Sequence, residues 1–255
     1  MAAGVRFLEH NLMVYRRTWR GTAFSTIVSP ILFLSAMGVM LGTFVPDLAE
    51  FGGASYLAFL APGLLAATAM QTATIESSWP LLAGFKWNKT FQAAIATPQG
   101  TNDIVVGHLY SMAARLAFVT GIFMVIAFLF GALTSAQALL AWPAAILTGL
   151  AFGMPMAAWT ASRQNESSFP VIIRFVVTPM FLFSGTFFPI ERLPDLLHGV
   201  AWLTPLFHGV SLARGFALGH DVDLLLMAIH ALVLVGLTVA GTLVALRTFR
   251  KRLIV

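Results

Sequence analysis

Apolar residues in this chain do not alternate with polar ones but run on in long uncharged stretches. The first lies between Arg20 and Asp47 and holds 26 residues without a charge. A helix rises about 1.5 Å per residue and a bilayer core is roughly 30 Å thick, so about 20 such residues cross it. Comparable stretches predict helices at Thr22 to Val45, Tyr56 to Leu82, Ile104 to Gly131, Ala138 to Ala161, Phe169 to Phe188 and Leu224 to Leu246. The uncharged run from Leu116 to Ser162 is long enough for two of these, with Gly131 to Ser135 as the turn between them. Residues 1–20 follow a different period. At about 100° per residue, Val5, Leu8, Leu12, Tyr15 and Trp19 share one arc, opposite Glu9, His10 and Arg6, Arg16, Arg17 and Arg20. That pattern predicts an interfacial helix. The apolar run behind it exceeds the length of a signal-peptide core, so no cleavable signal peptide is expected.

Charge interrupts these runs unevenly. Of 15 Lys and Arg residues, all but Arg115, Arg192 and Arg214 fall in the leader, around Lys86 and Lys89, between Arg163 and Arg174, or in the tail from Arg247 to Arg252. Six crossings put all four segments on one side, which the bias of Lys and Arg makes cytoplasmic, with both termini inside. Asp47, Glu50, Glu191, Asp195, Asp221 and Asp223 fall on the other side. The expected fold is thus an all-α polytopic membrane protein of one domain, 1–255.

Composition agrees: 58% of residues are hydrophobic and 10% charged, too much apolar surface for one soluble core. The net charge of +5 is explained by topology, so no nucleic acid partner is expected. With no cysteine, disulfides and thiolate sites are excluded. Arginine outnumbers lysine, in keeping with a GC-rich bacterial genome. The chain has no phosphate-binding G-x-x-x-x-G-K-[ST] loop, no H-E-x-x-H and no G-x-S-x-G, so no catalytic activity of its own is expected. Gly38 to Gly42 and Gly149 to Gly153 match the small-residue pattern of helix packing, within the chain or between subunits.

Three places carry candidate chemistry. Glu76 lies about eight residues before the inner end of the second span and Arg115 about ten after the start of the third, so adjacent antiparallel helices bring them to similar depth. Either they form an intramembrane ion pair, joining the two helices into one lever, or each snorkels separately to the nearby surface. Between them, Phe85 to Asp103 is too polar to be embedded, and Asn88 or Thr90 can cap a short helix that Pro98 and Gly100 end. This is either a docking knob or a plain linker, and a helix so short needs a surface to pack against. Phe183 to Phe216 is still largely apolar, yet Pro189, Pro194 and Pro205 cut it into pieces too short to cross, which predicts re-entrant helices on the outer side. His198, His208 and His220 lie in or beside it without metal-ligand spacing, and His230 reads as an interior packing residue.

Thr178 to Pro194 (TPMFLFSGTFFPIERLP), with the Pro205 to His208 and Leu212 to Arg214 pieces, and Lys89 to Leu109 (KTFQAAIATPQGTNDIVVGHL) together resemble the membrane subunit of ABC-2 type exporters, near the nodulation-protein-J and daunorubicin-permease branches. The resemblance covers nearly the whole chain. It implies a six-helix permease with an interfacial helix at 1–20, a cytoplasmic coupling loop at 83–103, an extracellular re-entrant region at 189–221 and a cytoplasmic tail at 247–255. It further implies a bacterial inner-membrane location, a second permease copy, and a separate ATPase that binds ATP and Mg. The coupling helix would meet that ATPase through Thr90, Phe91, Ile95, Thr97 and Pro98, and Phe187, Phe188, Pro189, Pro194 and Pro205 would form an extracellular gate. The expected cargo is a hydrophobic drug or antibiotic, a lipid or a glycolipid. His108 departs from the pattern, since the nodulation branch carries an acid there, so that branch's lipo-oligosaccharide is not carried over. The alternatives are an ion-coupled carrier, disfavoured because Glu76 is the one acid within a span, and a non-transporting scaffold.

Overall fold

A computed structural model describes residues 24, 26–44, 54–133, 135–192, 194–219 and 223–254. The interfacial helix expected over 1–20, and Asp47, Glu50, His220 and Asp221, lie outside them. The described chain is helical, without strands. Among the described residues five helices are long and apolar enough to cross a membrane: α1 (Thr26–Thr43), the pair α2 (Tyr56–Glu76) and α3 (Trp79–Lys86), α5 (Thr101–Leu129), α6 (Ala141–Ala161, entered through a 3-10 turn at Ala136–Leu140) and α10 (Leu224–Leu253). Between them stand α4 (Thr90–Ile95), the shorter apolar α7 (Phe169–Phe183), α8 (Asp195–Trp202) and α9 (Pro205–Leu218).

Helix boundaries follow from side chains that satisfy exposed backbone groups. The Ser55 hydroxyl accepts from Ala58 N at 3.3 Å, Asp103 Oδ2 from Gly100 N at 3.0 Å, the Thr204 hydroxyl from Phe207 N at 3.2 Å, and Asp223 Oδ1 from Leu225 N at 2.9 Å. Gly131, at φ 74°, follows α5 and opens the predicted turn. Within the helices, Thr74, Thr120, Thr148, Thr238 and Thr242 each donate to the carbonyl four residues back, which satisfies a hydroxyl where no water is at hand.

The helices depart from the expected spans where proline and glycine intervene. Pro80 cannot donate, and its ring crowds the carbonyl of Glu76, so the second span breaks at Ser77 and Ser78 before continuing to Lys86. Thr160 Oγ1 donates to the freed Ser77 carbonyl at 2.6 Å. In α7, Pro179 demands room above Phe175. The preceding turn, Ile173–Val177, widens to a π-helix, and both the backbone N–H and the hydroxyl of Thr178 donate to Ile173 O. The helix stops at Phe183 rather than Phe188, since Gly185 takes φ 79° and Ser184 Oγ bonds Thr204 Oγ1 at 2.8 Å. Leu34–Met40 of α1 is also π-helical. The segment from Arg247, expected as a tail, continues α10 to Leu253.

At the centre, α6 packs against α2, α5, α9 and α10. A Cβ on Gly241 of α10 would come within 2.4 Å of Pro155 Cδ, and one on Gly153 within 2.4 Å of Met112 Sδ, so glycines set how closely these helices approach. Both small-residue motifs pack within the chain: Gly38 faces Leu57, Gly42 faces Tyr56, and Gly149 faces Leu116 and Ala69. The bundle has a basic end, with Lys86, Lys89, Arg163, Arg247, Arg250, Lys251 and Arg252, and a far end built from the start of α2, the residues after α7, and α8 and α9.

Candidate functional site

At the basic end, α4 sits as a small knob. It is six residues long, and Lys89 enters it in the left-handed conformation, φ 51°. Such a helix lacks the hydrogen bonds to hold itself and depends on its seat. Phe91 provides that seat: it is buried, with its ring 4.5 Å from Phe85 and 5.8 Å from Phe249 of α10. Gly84 makes room for it, since a Cβ there would fall 2.6 Å from the Phe91 ring. Gln92 Nε2 donates to Phe85 O at 2.8 Å and Thr90 Oγ1 to Gly84 O at 3.4 Å. Phe91 was expected on the partner-facing surface and is instead turned inward, because a ring so large is worth more against Phe85 and Phe249 than in water. Ile95 is half-buried, while Thr90, Gln92, Ala93, Thr97 and Pro98 are exposed. Arg252 closes the junction. Its guanidinium lies 4.2 Å from the Phe85 ring centroid, and Nη1 donates to Thr160 O at 3.1 Å and Ala161 O at 3.0 Å, the last two carbonyls of α6.

Further along the bundle, Arg115 Nη2 reaches Glu76 Oε1 at 3.0 Å. The pair stands in the wall of a cleft of about 280 Å³ between α1, α2, α5 and α7. Its lining combines polar groups from Thr68, Gln71 and Thr72 with the rings of Phe33, Phe123 and Phe181. Phe33 of α1 meets Phe181 of α7 edge to face at 6.5 Å. Both helices bordering the cleft at this contact carry the π-helical segments, a local irregularity common where helices rearrange.

At the far end, two tethers close the residues after α7 onto α2. Tyr56 Oη donates to Phe187 O at 3.1 Å, and Arg214 of α9 donates through Nη2 to Gly185 O at 2.8 Å and through Nε to Phe59 O at 3.3 Å, its plane 3.7 Å above the Phe59 ring. Burial pushes the Arg214 guanidinium down to about 9, against the pull of Glu191 and Tyr56, so it is still a cation near neutral pH. Of the expected gate residues, Phe187 packs against Phe181 at 4.9 Å, Pro189 is buried, Phe188 is half-buried, Pro194 is exposed and Pro205 opens α9. His208 Nε2 donates to Trp202 O at 2.9 Å, which leaves His208 Nδ1 facing His230 Nδ1 of α10 at 2.7 Å. His198 Nε2 donates to Ile190 O. Among the described residues no cluster of three or more His, Asp or Glu side chains could hold a metal.

The ABC-2 type transporter family matches residues 7–218. The chain belongs to that family. Nodulation protein J of Rhizobium leguminosarum bv. viciae is 32% identical over 256 residues, covering 99% of this chain and 96% of the relative. Nodulation protein J of Neorhizobium galegae is 30% identical, covering 96% and 92%. The inner membrane transport permease YadH of Escherichia coli K12 is 24% identical, covering 82% and 81%. As a member of the ABC-2 type transporter family the chain is a multi-pass membrane transport permease, a transporter component rather than a catalyst.

Arg214, His208 with His230, and Phe249 with Arg252 were not singled out as site residues from the ABC-2 permease sequence. Arg214 stood only within a resembling segment, and charge in an otherwise apolar stretch was the one signal that marked it. The aromatic partner of Phe91 lies at the other end of the chain, where no local pattern points to it.

Proposed function

We propose that this permease is the membrane-spanning subunit of an ATP-driven exporter of the bacterial inner membrane, working as two copies coupled to a separate ATPase that binds ATP and Mg. The observation that carries the reading is α4: a helix too short to stand alone, seated on buried rings, with Thr90, Gln92 and Ala93 and, just past its end, Thr97 and Pro98 exposed at the basic end. A rigidly seated knob of this kind can receive a push from a partner. The Lys and Arg bias turns the basic end, and with it both termini, to the cytoplasm. On that orientation α7 with Ser184 to Phe188 makes the sixth crossing. The 8-residue α8 and 14-residue α9 fold back into the outer leaflet as re-entrant pieces. Two exposed apolar faces, Phe24 and Leu32 of the first helix region and Val171 and Phe175 of α7, offer contact to lipid and to the second copy.

The cleft beside Glu76 and Arg115 is the start of the path. A lining that mixes polar groups with rings suits an amphiphilic or hydrophobic cargo, whether a drug or antibiotic, a lipid or a glycolipid. An ion-coupled carrier is less well supported, because its intramembrane acid would have to be free to bind the ion, and Glu76 is held by Arg115. The test is co-purification with an ATPase carrying a phosphate-binding loop. The reading expects this chain to bring the ATPase down, Thr97→Arg in the exposed turn just after α4 to weaken capture, and ATP hydrolysis to respond to cargo. Capture of no such ATPase contradicts it.

A further inference from the structure

The connections from α4 into the bundle are of two kinds. Along the chain, α4 leads back to α2 through a helix broken at Ser77 and Ser78, and onward to α5 through Thr97, Pro98 and Gly100. Through space, it rests on α10, which is unbroken for 30 residues, a length of about 45 Å. Phe249 of α10 is fully buried beneath α4, 5.8 Å from Phe91 and 4.9 Å from Phe85. Three residues on, Arg252 binds the same junction to the last carbonyls of α6. Near its middle, α10 lies on α6 at Gly241, where even a methyl group would strike Pro155. The two helices are therefore packed too closely to slide or bend separately.

The other end of α10 is equally fixed. His230 and His208 are both buried and meet nitrogen to nitrogen at 2.7 Å. The Trp202 carbonyl can only accept, so His208 Nε2 carries a hydrogen, and a single hydrogen between the two Nδ1 atoms completes the pair. Trp202 and Phe207 lie 5.5 to 5.8 Å from both histidine rings, ring centroid to ring centroid. Two turns further along α9, Arg214 holds Gly185 O and Phe59 O, the tethers that close the far end.

We propose that α10 transmits displacement of α4 to the far-end closure, with Phe249 and Arg252 as positioning residues at one end and His230 at the other. The idea rests on the ATP-driven reading above. It adds that the last helix, which lies beyond the segment matched by the family, is a push-rod between the ATPase contact and the outer gate.

The absence of native cysteine makes the test direct, since one introduced thiol is the only one this chain carries. Thr186→Cys places it at a buried site among the closing residues. In vesicles holding the permease with its ATPase, the rate at which an impermeant maleimide labels this thiol is compared with and without ATP. We expect the parent to show a nucleotide-dependent rate, and Phe249→Ala or His230→Phe to lose that dependence while ATP is still hydrolysed. Phe249→Leu, which keeps most of the volume, restores it in part, and Leu237→Ala, partly buried in the core near mid-helix and about two turns from His230, lowers thermal stability but keeps the response. If Phe249→Ala does not assemble, His230→Phe, remote from the ATPase contact, decides. A full nucleotide response in His230→Phe or Phe249→Ala overturns the transmission role and leaves the exporter reading standing. A parent that hydrolyses ATP but shows no response in labelling also overturns transmission to this closure. A parent with no ATPase activity at all removes the exporter reading and this inference with it.

Discussion

Arg115 Nη2 and Glu76 Oε1 stand 3.0 Å apart and join α2 to α5 in the wall of the cleft. Their side chains are 27% and 25% exposed, enough shielding to make each charge costly without the other. Reversing one of them, Glu76→Lys or Arg115→Glu, should destabilise the protein by roughly 3 kcal/mol, toward the lower end for a buried pair. Combining both reversals should recover most of the loss. Thermal unfolding in detergent reads this, and a double reversal no better than either single one speaks against direct pairing.

Gly241→Ala would bring a methyl group within 2.5 Å of Pro155 N, a backbone atom that cannot swing aside. Separation of α10 from α6 should lower stability by about 1 to 3 kcal/mol, the usual range for overpacking. Gly236→Ala, a site on the same helix with nothing near its Cβ, serves as the control and should be neutral or slightly stabilising. The shift in melting temperature of the two variants checks the prediction.

Gly84→Val forces the Phe91 ring from its seat, since even the first carbon of the side chain falls 2.6 Å from it. Because α4 has little stability of its own, it should loosen while the spans remain folded. The peptide bonds around Thr97 should then become more open to limited proteolysis. Unchanged cleavage would mean that α4 does not depend on Phe91.

Arg214→Lys keeps a charge but loses the planar fork that reaches Gly185 O and Phe59 O and stacks on Phe59. The stacking alone is worth about 1 kcal/mol. The variant should fold, label faster at Thr186→Cys and leak cargo when ATP is absent. Labelling at the parent rate would show that the tether is not what holds the far end closed.

How far this was legible in sequence differs from element to element. Long uncharged runs located α1, α2, α5, α6 and α10, because lipid demands a fixed length of apolar helix. Register alone put Glu76 and Arg115 at similar depth, since both sit at countable distances from a shared turn, but left pairing and separate snorkelling both open. The break at Ser77 was not anticipated, although Pro80 was visible, and α7 is shorter than its apolar run because Gly185 turns the chain out of the helix. Orientation of Phe91 could not be read from a six-residue helix, which has apolar and small residues on every side. Its seat is Phe249, and Arg214 likewise finds Phe59 O 155 residues away. Such contacts depend on how the helices assemble, which periodicity within one helix does not encode.

The central claim is that ATP, hydrolysed by a partner seated on α4, drives cargo outward through this permease. The most direct measurement is uptake into inside-out vesicles containing the permease and its ATPase, with ATP supplied and with ion gradients collapsed. The account predicts uptake that needs ATP, survives collapse of the gradients and falls when Phe91→Ala unseats α4. Uptake that continues without ATP and stops when the gradients are collapsed would contradict it.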